Sequence, residues 1–128
     1  MTMTDLLRTR RLRLRDDLLL PWARWITPEF EPRRFDTWFF VALLPQAQTA
    51  RDVSGEADRT AWISPAAADG LDMLPPTRAL LDDLRAYRSI PEVIRARRDA
   101  ATPVLPRVEL TPEGGAVVHV DQPKRPVM

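Results

Sequence analysis

Charged side chains stand between two aromatic-rich runs in residues 21–44, PWARWITPEFEPRRFDTWFFVALL. Arg33, Arg34 and Asp36 come directly before the second run. A planar guanidinium donates two parallel hydrogen bonds and therefore suits phosphate recognition. The alternative is that Arg34 pairs with Asp36 or Asp52 and only holds a loop in place.

The aromatic side chains of the same segment offer a second kind of contact. Trp22, Trp25 and Trp38 could stack on the ring of a bound nucleotide. Aromatic side chains at strand spacing more often pack in a core or on the face of a sheet, so both interpretations stay open.

Composition bounds the remaining chemistry. The chain has 128 residues and a net charge of +1, so it is one domain or part of one, without a general attraction to nucleic acid or anionic membranes. It contains no cysteine and one histidine, which excludes disulfides and multi-histidine zinc sites within these residues. No apolar run approaches the roughly 20 residues of a membrane span. Without a recognisable secretory signal, we expect a cytoplasmic protein.

The elements that must position these residues begin with two strands, over 18–25 and 35–44, on either side of the loop 27–34. Pro21 tolerates only an edge or a bulge, so the first strand is predicted to be peripheral. The second run is uncharged after its start, which is typical of a strand covered on both faces. A third strand is predicted over 56–64.

Capping residues and apolar spacing predict the helices. Apolar residues from Leu80 to Tyr87 recur at helical spacing and predict the clearest helix of the chain. Val93 and Ile94 are expected to face inward in the helix that follows. The predicted N-caps, in chain order, are Thr4, Ser64, Thr77 and Ser89.

The C-terminal residues 108–128 are rich in proline and are predicted to form a tail. One short hairpin is expected there, pairing 104–110 with 116–120. The sequence assigns no role to His119 or to the basic residues 8–15, which are expected to be structural or solvated.

The order of these motifs resembles the C-terminal half of Nudix hydrolases, in the branch of the coenzyme A diphosphatase-like enzymes and their actinobacterial relatives. The resemblance runs from Leu6 to Arg107. It implies a partial Nudix-like α/β/α sandwich with a mixed sheet, followed by C-terminal helices and a Pro-rich tail. The chain thus divides into 1–107 and 108–128. The matching stretches are Pro21–Pro28, Arg34–Thr37 with Phe39 and Phe40, Asp52–Glu56 with Trp62, and Met73–Thr77.

One hallmark of the family is missing from the sequence. Nudix enzymes carry G-x5-E-x7-R-E-x-x-E-E-x-G, whose glutamates bind the divalent ions. This sequence has six glutamates, and no two are adjacent. In the family the pattern lies upstream of the Pro-Trp-Ala-Arg-Trp region, so the chain is expected to be a back half that is catalytically incomplete alone.

The resemblance implies cleavage of a nucleoside diphosphate-linked small molecule, with acyl-coenzyme A as one candidate and Mg or Mn as the metal. It places Glu56 where the family often has a metal-binding or general-base glutamate; the alternative is a solvated loop carboxylate. It places Arg33, Arg34, Asp36 and Trp25 beside the substrate cleft.

A second interpretation belongs to another functional class. In this interpretation the chain is a non-catalytic binding or assembly module that pairs through an exposed sheet edge, because an unpaired edge recruits another strand. It would then form a homodimer or associate with a separate N-terminal half. Nucleic acid and membranes are not expected partners.

Overall fold

The computed structural model describes residues 1–51 and 55–120 as a mixed α/β chain, which confirms the predicted class. In this part of the chain, β1 with β2 and β3 with β4 form two antiparallel sheets of two strands each. The Nudix-like sandwich stays a prediction. The elements are helix α1 (Met3–Thr9), a 3-10 turn (Asp16–Leu18), strands β1 (Leu19–Ile26) and β2 (Asp36–Ala42), a 3-10 turn (Pro65–Ala68), helices α2 (Pro75–Leu84) and α3 (Ile90–Arg95), and strands β3 (Arg107–Leu110) and β4 (Ala116–His119).

The two aromatic strands are neighbours, and β1 carries a bulge. The register shifts between Pro21 and Ala23, so Trp22 is the extra residue. Proline cannot donate to a ladder, and a bulge beside it removes the need for that bond. The prediction that Pro21 lies at an edge or a bulge is confirmed.

Hydrogen bonds at both ends of this hairpin show which backbone groups of β2 face β1. The Thr27 N–H donates to the Phe35 carbonyl and the Leu43 N–H donates to the Leu18 carbonyl, each at 2.9 Å. Backbone groups alternate in direction along an antiparallel strand. Odd-numbered residues of β2 therefore bond towards β1, and even-numbered residues direct their N–H and C=O groups to the outer edge. These are Asp36, Trp38, Phe40 and Ala42.

The outer edge of β1 is partly covered by a one-residue bridge. The Ile26 N–H donates to the Val104 carbonyl at 2.9 Å, and the Val104 N–H donates to the Arg24 carbonyl at 2.8 Å. This pairing is parallel. Pro106, two residues after Val104, lacks the N–H that would next donate to β1, which stops the pairing on that side.

The core is small and lies on the side of β1 that α2 covers. Trp22 and Trp25 are 2% and 5% exposed. The Tyr87 ring meets the Trp22 ring edge to face, with 5.5 Å between centroids. Ala68, Ala100 and Val104 are the other buried apolar residues among those described.

A buried ion pair fastens α2 to the bulge. Arg98 Nη2 donates to Asp83 Oδ2 at 2.7 Å, and Arg98 Nε donates to the Trp22 carbonyl at 3.0 Å. The guanidinium also lies 4.3 Å from the centroid of the Trp22 ring. The two charged side chains are 16% and 10% exposed. One guanidinium thus joins α2, β1 and the segment after α3.

The turn Pro65–Ala68 packs on α2 through arginine side chains. Arg78 donates to the carbonyls of Ala68 and Leu71 at 3.1 and 2.6 Å. The Ser64 side chain accepts from the Ala67 N–H, as its predicted role as a cap requires. Ser89 likewise caps α3, so both of these predictions are confirmed.

The other two predicted caps are wrong. Thr2, not Thr4, caps α1, and Asp5 completes a capping box with it. Leu74 precedes α2, and prolines occupy the first turn. Because proline presets the helical φ and needs no hydrogen-bond partner there, α2 begins before Thr77.

Other differences concern burial and one strand. The described residues from 55 to 64 form no strand, and Trp62 is 77% exposed. The Ile94 side chain, expected to face inward, is 48% exposed. β2 is not covered on both faces, because Trp38 and Phe40 are exposed. Apolar composition alone does not distinguish a strand that is buried on both faces from one with an exposed face.

The C-terminal hairpin is confirmed as β3 paired with β4. His119 Nε2 lies 2.6 Å from Glu109 Oε2 across this hairpin and is half exposed. The last part of the predicted tail, 121–128, lies outside the described residues, as do Asp52, Val53 and Ser54. None of the described helices combines the length and apolar character that crossing a membrane requires.

The chain leaves a large surface uncovered. Its accessible area is 11135 Å². A compact monomer of 14.6 kDa is expected to expose about 6900 Å². Much of the uncovered surface is apolar, including the β2 aromatic residues, Trp62 and Leu110.

Replacing Arg98 with Met tests the buried ion pair. We expect Arg98→Met to lower the free energy of unfolding by about 3 kcal/mol, because a buried charge loses its main compensation. Urea unfolding followed by tryptophan fluorescence measures this loss. The control is Arg85→Met, since Arg85 is 40% exposed and its pair with Asp69 is solvated; its expected cost is below about 1 kcal/mol. Equal losses for the two variants would contradict the assigned role.

Candidate functional site

The candidate site is the solvent side of the β1–β2 hairpin, here called the hairpin face: Arg24, Asp36, Trp38 and Phe40. Successive side chains of a strand alternate between the two faces of a sheet, so the even-numbered β2 residues share one face. Arg24 lies opposite Trp38 in the register and belongs to the same face. Trp38 and Phe40 are 43% and 51% exposed, which leaves aromatic rings available to a ligand.

Arg24 organises the hairpin face. Its Nε donates to Asp36 Oδ1 at 2.8 Å, and its Nη2 donates to Asp36 Oδ2 at 2.5 Å. Its Nη1 donates to the Ala101 carbonyl at 3.2 Å. The guanidinium carbon lies 5.5 Å from the Trp38 ring centroid, within cation–π range. Arg24 is therefore committed to protein partners and holds the Trp38 ring in place.

The ion pair fixes the charge state of this face. The hydrogen bond from Arg24 lowers the pKa of Asp36 below its ordinary value. The same bond raises the pKa of Arg24. Asp36 is thus a carboxylate at neutral pH whose oxygens accept from Arg24, and we assign it a positioning role.

The loop before β2 is closed by Thr27. Its hydroxyl accepts from the Phe35 N–H at 2.9 Å, beside the backbone bond between the same residues. Arg34 Nε donates to the Thr27 carbonyl at 3.2 Å. The expected pairing of Arg34 with Asp36 is therefore wrong, since Asp36 pairs with Arg24; the other expected partner, Asp52, lies outside the described residues.

The two loop arginines are the cations that face solvent near the hairpin face. Arg33 is exposed and makes none of the hydrogen bonds or ion pairs found among the described residues around the loop. Arg34 is also exposed, and among the described residues its side chain bonds only through Nε. Both remain available for an anion, whereas Arg24 does not.

Three tryptophans were candidates for stacking on a ligand. The structure places Trp22 and Trp25 in the core and Trp38 on the hairpin face. Trp25 lies opposite Thr37 in the register and so occupies the face opposite to that of Asp36. The predicted set of Arg33, Arg34, Asp36 and Trp25 is therefore divided between two sides of the hairpin.

Glu56 is exposed in an irregular segment, outside the hairpin. The described residues contain no group of three or more Asp, Glu or His side chains that could hold a metal ion. A divalent ion usually takes several oxygen ligands. These residues do not by themselves fit a Mg or Mn site, and we derive no metal-dependent step from them.

Sequence reasoning did not select Arg24 as a site residue. Arg24 and Asp36 are 12 residues apart, and only the pairing register of the hairpin shows that they meet. The register is unbroken from the turn as far as Ala23, and the bulge comes after it, so the pair follows once the ends of the loop are known.

Comparison with known proteins adds no relative. No family model matches the chain, and no curated protein or solved structure matches it either. These comparisons neither support nor contradict the resemblance to Nudix hydrolases, which therefore stays a hypothesis.

Removing the Asp36 charge tests its role at the hairpin face. Because the pKa of folded Asp36 is lowered, its pair stabilises the protein above the ordinary value of 3.8 and this contribution is lost as pH falls through the folded pKa. We expect Asp36→Asn to lower the urea midpoint at pH 7, and the difference from wild type to shrink as pH falls from about 4 to 2. Asp58→Asn, on an exposed carboxylate, is the control. A difference independent of pH would contradict the ion pair.

Proposed function

We propose that this chain forms the substrate-side portion of a Nudix-like diphosphohydrolase domain and does not complete the catalytic site by itself. One observation carries the proposal: three of the four stretches that bear the resemblance lie together. PWARWI is within β1, DTWFFVA is β2, and the two strands pair. The Leu-Pro-Pro-Thr stretch begins α2, which packs against β1.

The hairpin face has the chemistry that a nucleotide requires. Trp38 offers an exposed ring whose orientation Arg24 maintains, and a base can stack on such a ring. Arg34 precedes Trp38 by four residues, or roughly 13 Å at the rise of a strand. A nucleoside diphosphate bound along β2 would therefore bring its phosphates towards Arg33 and Arg34.

The proposed substrate is a nucleoside diphosphate joined to another group, with acyl-coenzyme A as one candidate. Hydrolysis of such a diphosphate needs divalent ions, which neutralise the phosphate oxygens and generate the attacking hydroxide when bound. Glu56 offers one carboxylate for them. We propose that the remaining carboxylates come from polypeptide beyond the described residues.

A second candidate function is a non-catalytic assembly module, and one observation favours it. The even-numbered residues of β2 direct their backbone groups to an edge that no other strand among the described residues covers. A strand edge of this kind recruits another strand. Both functions involve the Trp38 ring, but Arg33 and Arg34 lie before β2, so replacing them tests nucleotide binding without altering the strand edge.

Nucleotide binding without turnover tests the main proposal. We expect calorimetric titration with ADP-ribose or coenzyme A, in EDTA, to show binding that Arg34→Ala weakens at least about tenfold, which corresponds to a lost charge-assisted hydrogen bond. Arg13→Ala is the matched control, because Arg13 is also exposed but precedes the hairpin. Arg33→Ala is expected to act in the same direction as Arg34→Ala.

Two outcomes would overturn this proposal. The first is no binding of any diphosphate ligand by the folded chain. The second is rapid hydrolysis with Mg or Mn by the chain alone that Glu56→Gln abolishes, since the chain would then hold a complete metal site. Phosphate release and mass spectrometry of the products measure that activity.

A further inference from the structure

The outer edge of β2 lacks the devices that usually protect a sheet edge. Natural edge strands carry charges, prolines or bulges, or are covered by another element. From Thr37 to Leu44 the sequence has no charged residue and no proline, and the bulge of this hairpin is in β1. Asp36 is the charge at the beginning of the strand, and its carboxylate is already paired with Arg24.

This edge is complementary to itself. In an antiparallel pair related by a two-fold axis at Phe39, Trp38 lies opposite Phe40 of the other copy and Asp36 lies opposite Ala42. Every outward-facing residue of β2 then exchanges both backbone hydrogen bonds with its counterpart. Aromatic side chains oppose each other on the hairpin face, and no like charges meet.

Other two-fold registers are less complete. An axis at Trp38 leaves Ala42 without a counterpart in the strand and places Asp36 opposite Phe40. An axis at Phe40 leaves Asp36 without a counterpart in the strand and places Trp38 opposite Ala42, so that only the two Phe40 rings oppose each other. A shift by a single residue would place backbone groups that face β1 opposite groups that face outward, so the ladder would not form.

Apolar side chains beside the edge supply contact area for such an interface. Trp38 and Phe40 are 43% and 51% exposed and lie on the same face of β2. In the antiparallel pair these rings would cover each other as well as the backbone ladder.

We propose that two copies of this chain associate through β2, antiparallel about Phe39, to form a four-stranded sheet in the order β1-β2-β2-β1. This inference rests on the second candidate function and specifies its partner as a second copy. The paired hairpin faces would then form one continuous surface, with Trp38 and Phe40 from both copies at its centre.

Sedimentation velocity over a concentration series tests the association. We expect wild type to approach twice the monomer mass of 14.6 kDa as concentration rises. Phe40→Lys places like charges near each other across the two-fold axis and is expected to leave a monomer. Leu110→Lys makes the same kind of change at a residue that is 79% exposed on β3, and is expected to keep the dimer.

Cysteine variants test the register, since the chain contains no cysteine. Opposed residues that do not share hydrogen bonds have Cα atoms about 4.5 Å apart, a separation that a disulfide can span. A mixture of Thr37→Cys and Val41→Cys chains is expected to form an intermolecular disulfide under mild oxidation. Phe39→Cys alone is expected to form one as well, whereas Thr37→Cys alone is not.

Three results would overturn the proposal: a wild-type monomer at all concentrations, a dimer that Phe40→Lys leaves intact while circular dichroism shows both variants folded, or crosslinks that Thr37→Cys forms alone as readily as in the mixture. A monomer that still binds ADP-ribose would overturn the dimer and leave the nucleotide-binding proposal standing. A dimer without nucleotide binding would do the reverse.

Discussion

The fold depends on one guanidinium. Arg98 forms an ion pair with Asp83 of α2, and its guanidinium lies over the Trp22 ring. It also donates to the Trp22 carbonyl at the bulge of β1. The core around it contains few buried side chains, so a single charged group replaces much of the apolar packing that a larger core would supply. An ion pair this far from water stabilises only when its geometry satisfies it, and here the stacked ring and the carbonyl complete that geometry.

The buried side of the hairpin in turn determines its open side. The bulge at Trp22 shifts the register of β1 by one residue: the Trp22 ring meets Tyr87, just after α2, and Arg24 lies opposite Trp38 on the solvent face. There Arg24 repeats, in exposed form, the role of Arg98: it binds a carboxylate, a carbonyl and an indole. The exposed pair contributes less energy because water competes for it. Its contribution is to the orientation of a ring that a ligand can reach.

The sequence predicted correctly those features that depend on neighbouring residues, such as the bulge and two of the helix caps. Pro21 marked the bulge, because proline has no N–H to offer a ladder. Ser64 and Ser89 marked helix starts, because their hydroxyls satisfy the first N–H groups. The failures have a common cause: the coverage of β2, the strand expected after Gly55 and the pairing of Asp36 all depend on residues distant in sequence. At Thr77, two local signals competed, and the preceding prolines determined the start of α2.

The two long edges of the β1–β2 sheet are chemically unlike. On the β1 edge, Pro21 lacks a donor, and Val104 binds the Arg24 carbonyl and the Ile26 N–H. On the β2 edge, the outward N–H and C=O groups pair with no other strand among the described residues. A unit with one reactive edge corresponds to a monofunctional reagent in polymer chemistry, which joins once and ends growth. In the proposed dimer the two β2 edges pair with each other, and the outer edges of that sheet are the partly covered β1 edges, which disfavours growth into a fibre through this sheet.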